Sequence, residues 1–187
     1  MPSNEYLVKG TAVRAHLDYL RSVDKLGAVR GRLSEAAVAF VDSPPLPGTW
    51  SDAHMLVELT EAVHSLGGDR AVLEMGRAVV TAQSLGALVP MVESVLRIFG
   101  TSPARLFARY DDLLRTTMRG LTFHYEPTSD RSGTMRATHD CRDPLRRASF
   151  LSTVPALELA LRLCNAEGTV SLPDILGPRE ASYAIAW

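Results

Sequence analysis

The N-terminal part of the chain carries apolar residues at helical spacing. Val13, Leu17 and Leu20 recur three to four positions apart behind Thr11, whose residue type caps helix N-termini. The same spacing, with capping residues in front and glycine or proline behind, predicts further helices at about 24–33, 34–41, 51–66, 69–80, 85–99 and 102–116. The chain up to Gly120 is therefore predicted to be mainly helical.

After Gly120 the period changes from helical to alternating. Leu121, Phe123 and Tyr125 point to one face of the first predicted strand, with polar residues between them. A returning strand, a long apolar helix and a second hairpin follow at about 134–138, 143–165, 169–172 and 181–187. This order predicts an α+β fold in which N-terminal helices pack on a mainly antiparallel sheet of about four strands, as helices–hairpin–helix–hairpin.

The composition is that of an ordinary globular protein. The chain has 187 residues, a net charge of -1 and two cysteines. This length predicts a single domain over residues 1–187, and the charge gives no indication of nucleic acid or an anionic membrane as a partner. Because no apolar run reaches the roughly 20 residues of a transmembrane helix and no signal peptide is visible, we expect a cytoplasmic protein without membrane insertion.

One predicted helix carries a stripe of possible metal ligands. His54, Glu58 and Glu61 fall within about 60° of each other when each residue advances by about 100°. The apolar face of the same helix, which includes Leu59 and Val63, lies roughly opposite the stripe. We therefore expect these side chains to face water, and we predict no metal site.

A second group of residues combines a thiol with imidazoles. His139 and Cys141 are separated by one residue, and His124 lies on the strand that is predicted to pair nearby. A cysteine beside a histidine is the minimum for a thiolate nucleophile, whereas this spacing matches no zinc or protease signature. A thiol- or hydrolase-type enzyme that uses Cys141 with His139 or His124 stays open as an alternative to a plain turn between strand and helix.

No other sequence pattern indicates catalysis. The chain has no phosphate-binding glycine loop, no G-x-S-x-G and no H-E-x-x-H, so we predict no catalytic residue and no cofactor. Several aromatic residues are expected to be buried, where they either fill the core or line a pocket or a dimer face. The candidates for ligand binding are Trp50, Phe99, Tyr110, Phe123 and Tyr183.

Five short segments, spread in order over nearly the whole chain, carry a family resemblance. They are Val8–Val13, Leu46–Trp50, Glu74–Arg77, Phe99–Pro103 and Gly177–Trp187. Together they resemble a paralogous family of unknown function that is expanded in myxobacteria. That family is similar to the four-vinyl-reductase-type small-molecule-binding domains, which are related to haem–nitric-oxide-binding domains. The resemblance implies an α+β domain that dimerises and holds an apolar ligand between helices and sheet.

Two features of those relatives are missing from this chain. The four-vinyl-reductase type closes with a cysteine on either side of a Gly-Asp-Pro turn, where this chain has Ile175 or Leu176 and Ala181. Haem sensors need an axial histidine and a Tyr-x-Ser-x-Arg motif that clamps the propionates, and this motif does not occur here. The resemblance therefore implies neither a metal or thiol function at the final hairpin nor a bound haem.

These inferences lead to three functional hypotheses. The first is a non-enzymatic domain that binds a small apolar ligand or a protein partner, as a homodimer, in signalling or regulation. The second is the enzyme built on Cys141. The third is a structural interaction module whose core is completely filled.

Overall fold

The computed structural model describes residues 6–81, 102–139 and 144–187. The helix predicted at 85–99 and the candidate residue Cys141 lie outside these ranges. Within them, helices are combined with antiparallel strands, and the strand pairs follow one another along the chain. The predicted α+β class, with helices on an antiparallel sheet, is confirmed.

Eight helices and eight strands lie within the described ranges. The helices are α1 (Gly10–Ser22), α2 (Leu26–Arg30), α3 (Glu35–Asp42), α4 (His54–Thr81), α5 (Pro103–Phe107), α6 (Tyr110–Leu114), α7 (Arg147–Leu151) and α8 (Val154–Leu163). The strands are β1 (Leu7–Lys9), β2 (Trp50–Asp52), β3 (Met118–Arg119), β4 (Leu121–Ser129), β5 (Ser132–His139), β6 (Thr169–Val170), β7 (Asp174–Gly177) and β8 (Glu180–Ala186). Of these helices, none combines the length and the apolar content that crossing a membrane requires.

A small antiparallel sheet with the order β2-β1-β3 does not follow from the sequence pattern. The prediction that a helix starts at Ser51 is wrong, because this segment forms β2 and α4 begins only at His54. Lys9 pairs with Trp50 in the register of β1 and β2, and the Trp50 ring centre lies 4.3 Å from both Lys9 Nζ and Arg119 Cζ. Two cation–π contacts thus reinforce strands that are too short for an alternating pattern to reveal.

Helix α4 is interrupted where the sequence predicts a helix end. Gly68 has φ 64° and ψ -163°, a backbone conformation that glycine adopts without strain. The carboxylate of Asp69 then joins both sides of the break, since its Oδ1 lies 2.9 Å from His64 Nε2 and its Oδ2 accepts a 2.9 Å hydrogen bond from Arg147. The two halves of α4 therefore meet at a kink that side chains hold in place.

The main sheet has five strands, in the order β4-β5-β8-β6, with β7 also paired to β8. All of these pairs are antiparallel. Strand β8 lies inside the sheet and buries Ala181, Tyr183 and Ile185 on one face, as its alternating pattern predicts. The additional strand β7 lies just before the turn that leads into β8.

The helix predicted at 143–165 consists of two helices. Helix α7 ends at Leu151 and α8 begins at Val154, so Pro155 lies in the first turn of α8, where a missing N–H breaks no helical hydrogen bond. Both helices pack on α4. A Cβ atom on Gly76 would lie only 2.7 Å from Pro155 Cγ, so α4 and α8 approach each other closely at this point.

Candidate functional site

The described helices line most of a partly open cavity of about 180 Å³. Leu56 and Thr60 from the first half of α4, and Val79 from the second half, all line it, so the cavity lies in the angle of the kinked helix. Most of the other lining residues are leucine, valine or alanine from α1, α4, α5, α6 and α8, and Met118 of β3 also contributes. The polar lining residues are Tyr6, His16, Thr60, Tyr110, Thr117, Ser149 and Ser152. No aspartate, glutamate, lysine or arginine belongs to the described lining.

Tyr110, the first residue of α6, is one of the buried polar residues of the cavity wall. Its ring packs edge-on against Phe123 at 5.2 Å and lies 6.4 Å from Phe107, which fixes its orientation. The residue is 5% exposed, and no described residue hydrogen-bonds its hydroxyl. Burial raises the pKa of Tyr110, so the hydroxyl keeps its proton. Leaving such a group unpaired costs about 1–3 kcal/mol.

Ser149 on α7 is the second lining residue with a buried, unpaired hydroxyl among the described residues. Its neighbours in the cavity wall differ in this respect. Thr60 donates to Leu56 O at 2.8 Å, and Ser152 donates to Ser149 O at 2.6 Å, so both hydroxyls are satisfied by their own helices. Among the described residues of the wall, the buried hydroxyls without a hydrogen-bond partner are therefore those of Tyr110 and Ser149.

His16 is the histidine of the cavity wall, and it lies on the buried side of α1. Its Nδ1 lies 2.8 Å from Ala12 O, and because a carbonyl only accepts, Nδ1 carries the proton and Nε2 has a free lone pair. Burial lowers the pKa of His16 below its ordinary value of 6.5. The ring is therefore neutral at neutral pH.

The buried His16 predicts a pH-dependent loss of stability. The unfolded chain protonates this ring near pH 6.5, whereas the folded protein keeps it neutral, so protons favour unfolding as the pH falls. Below pH 6.5, and until the folded ring itself is protonated, His16 should lower the free energy of unfolding by about 1.4 kcal/mol per pH unit. Urea unfolding from pH 7 to 5, compared between the wild type and His16→Gln, measures this contribution.

Both proteins contain the other histidines, so the contributions of those histidines to the pH dependence cancel in the comparison. The free energy of unfolding of the wild type should fall faster with decreasing pH than that of the variant. A difference between the two proteins that stays constant over this range would contradict the assignment of a neutral, buried His16.

The structure separates the predicted ligand-binding residues. Tyr110 lines the cavity, and Phe123 lies directly behind it. Tyr183 is fully buried in the core, where its hydroxyl donates a 2.9 Å hydrogen bond to Phe150 O. Trp50 lies in the small sheet between two cations, and Phe99 is outside the described residues. A role of these residues in binding stays a prediction.

The two histidines considered for a thiol enzyme lie on opposite faces of the main sheet. His139 pairs with Leu121 and is buried, whereas His124 pairs with Arg136 and is exposed. The backbone N–H of Leu145 lies 3.3 Å from His139 Nε2, so the buried ring takes part in holding the chain after β5. His124 and His139 therefore cannot act on one substrate together.

The stripe on α4 is partly exposed, and its side chains also contact neighbouring residues. Glu58 accepts hydrogen bonds from the backbone N–H and the hydroxyl of Ser34, which begins α3. Burial raises the pKa of Glu61, and His54 Nδ1 lies 2.7 Å from Asp52 Oδ1. These contacts tie α4 to its neighbours. Across the described ranges, no cluster of three or more histidine, cysteine, aspartate or glutamate residues could hold a metal ion.

Comparisons with known proteins are informative at the level of structure. No protein-family model and no curated protein matches the sequence. An H-NOX protein from K. algicida, in its Fe(II) unliganded form, matches with a TM-score of 0.68 at 13% identity over 95% of each chain. An oxygen-binding H-NOX domain related to soluble guanylate cyclases, in its oxygen complex, matches with a TM-score of 0.61 at 15% identity, over 95% of this chain and 94% of that chain. The chain has the H-NOX fold. The resemblance to haem–nitric-oxide-binding domains is thereby confirmed for the fold.

Haem is the group studied in other matched H-NOX structures. His16 has the hydrogen-bonding arrangement of a metal-bound histidine, in which the second ring nitrogen donates to a carbonyl. The cavity, however, measures about 180 Å³, below the roughly 300 Å³ at which pockets for drug-sized ligands begin. In addition, no described lining residue is a cation that would neutralise a propionate. The described residues therefore do not fit haem.

Proposed function

We propose that this domain is a non-enzymatic small-molecule-binding module in signalling or regulation, and that its ligand occupies the cavity in the angle of α4. The observation that carries the proposal is the pocket itself, whose described wall is mainly apolar and includes a few polar residues, among them His16 and Tyr110. A concave, mostly apolar pocket with a small number of polar groups is the usual form of a small-molecule site in proteins. The oxygen complex of a matched H-NOX domain supports the same use of the fold.

We further propose that the chain belongs to the myxobacterial paralogous family, which is related to the four-vinyl-reductase-type domains. We also propose that the protein is cytoplasmic and forms a homodimer. A protein partner would then respond to the ligand-bound form.

Filling the cavity is expected to abolish ligand binding. Ala160 is buried on α8 and lines the cavity, so Ala160→Leu places three additional carbon atoms in the space that the ligand needs. Toluene serves as a simple apolar probe, and the methyl resonances of Leu106 and Leu113, which also line the cavity, report its binding by NMR. We expect these resonances to shift with toluene in the wild type and to stay unchanged in Ala160→Leu.

The matched control is Ala28→Leu, which adds the same atoms on the exposed side of α2. This variant should bind toluene as the wild type does. If the wild type does not bind toluene, or if Ala160→Leu binds it as tightly as Ala28→Leu does, the proposed site is wrong.

A further inference from the structure

His16 places an unused ring nitrogen in the wall of the cavity. The residue lies on the buried side of α1 and is 8% exposed, and Ala12, one turn earlier, lines the cavity beside it. The 2.8 Å hydrogen bond from Nδ1 to Ala12 O holds one edge of the ring along the helix. Nε2 lies on the far edge of the ring and therefore points away from that carbonyl.

Nε2 of His16 is unpaired without being sealed by packing. No described residue hydrogen-bonds this nitrogen, and it is not one of the unpaired atoms that have lost all contact with open space, as the hydroxyls of Tyr110 and Ser149 have. Nε2 therefore keeps accessible surface. Since the ring lines the cavity and is otherwise buried, this surface belongs to the cavity.

The ring offers Nε2 as an acceptor. Nδ1 carries the proton because its partner is a carbonyl, and burial lowers the pKa of His16, which keeps the ring neutral at pH 7. An unprotonated imidazole nitrogen either accepts a hydrogen bond or ligates a metal ion. No cluster of histidine, cysteine, aspartate and glutamate in the described ranges could complete a metal site around it, so a hydrogen-bond donor is the partner that fits.

Ligands with and without a donor group affect Nε2 differently. Because the cavity is partly open, water can reach this nitrogen before a ligand binds. A ligand that displaces the water replaces its hydrogen bond only by bringing an N–H or O–H group of its own. A ligand of the same shape that lacks such a group leaves a buried acceptor unpaired, and affinity is lost.

We infer that the ligand of this cavity carries an N–H or O–H group that donates a hydrogen bond to Nε2 of His16. This inference rests on the proposed function and names the group by which the ligand is recognised. Indole and benzofuran are matched probes, because they share one bicyclic shape and differ in an N–H donor against a ring oxygen. Titration of the full chain with each at pH 7, followed by the methyl resonances of Leu106 and Leu113, gives their dissociation constants.

We expect indole to bind about tenfold more tightly than benzofuran, and His16→Phe to bring this ratio close to one. His124→Phe is the matched control, because it removes an exposed imidazole outside the cavity lining and should keep the preference for indole. A second measurement needs no variant. In nitrogen–hydrogen correlation NMR of the wild type, the Nε2 resonance of His16 should move upfield with indole and stay in place with benzofuran.

The outcomes distinguish this inference from the proposed function. If toluene binds but indole binds no more tightly than benzofuran, the inference is wrong and the proposed function stands. The same holds if His16→Phe keeps the preference for indole, or if indole binds without moving the Nε2 resonance. If toluene, indole and benzofuran all leave the methyl resonances unchanged, both the inference and the proposed function are wrong.

Discussion

Replacing Tyr183 with alanine is expected to lower the free energy of unfolding by about 3–5 kcal/mol. The side chain is 0% exposed and lies on β8, with Met135 directly opposite on β5. Removal of the ring leaves a large cavity between the main sheet and α7, because strands bonded on both sides of β8 cannot collapse to fill it. Urea unfolding of the wild type and Tyr183→Ala, followed by circular dichroism, measures the loss.

Tyr183→Phe is the matched control for this prediction. It keeps the packed ring and removes the hydroxyl that donates a 2.9 Å hydrogen bond to Phe150 O. We expect a smaller loss of about 0.5–1.5 kcal/mol, since Phe150 O keeps the hydrogen bond from Thr153 N. Equal losses in the two variants would show that packing of the ring is not what Tyr183 contributes.

Replacing Gly10 with alanine is the second change with a large expected effect. A Cβ atom at this position would lie 2.1 Å from the carbonyl oxygen of Leu46 and 2.9 Å from that of Pro45. The loop that carries these carbonyls cannot move away easily, because Arg14 donates to Pro45 O at 2.8 Å and Thr11 donates to Pro47 O at 2.7 Å. We expect a loss of about 1–3 kcal/mol or more, measured by the same urea unfolding.

Gly27→Ala is the control for Gly10→Ala. Gly27 lies in α2, and a Cβ atom there would meet no other atom within 4 Å. Alanine is the better helix former, so this variant should be unchanged or more stable by up to about 1 kcal/mol. If both variants lose the same stability, the close approach of Gly10 to the loop is not responsible.

Several local features could be predicted because their causes lie within a few residues. Ser34 begins α3 as expected, with its hydroxyl accepting from Ala37 N at 3.3 Å. Gly68 interrupts α4 where the double glycine indicates it. Tyr183 and Ile185 are buried on one face of β8 because alternation along a strand directly sets the face.

The small sheet could not be predicted in the same way. Its strand β1 pairs with β2 some forty residues later and with β3 more than one hundred residues later, at Val8↔Ser51 and Val8↔Met118. Strands of two or three residues have no period of their own. Their pairing depends on contacts between distant segments, and capping or periodicity does not encode such contacts.

The candidate site was only partly visible in the sequence. Tyr110 could be named as a buried aromatic residue. The sequence does carry a signal for His16, since this residue falls on the apolar stripe of α1 between Val13 and Leu17. No sequence signal marks Ser149, because the sequence around a serine in a short helix does not show whether that residue faces water or a cavity.

By itself, the sequence determined the α+β class, the order of helices and hairpins and the buried face of β8. All of these depend on spacing between near neighbours, which the chain displays directly. Only the tertiary structure decided that residues of both halves of the kinked α4 line a mainly apolar cavity, and that Tyr110 and Ser149 belong to its wall. A cavity forms only where several packed helices leave space between them, so residue spacing along the chain does not reveal it. The polar groups in its wall lose their contact with water only through that packing.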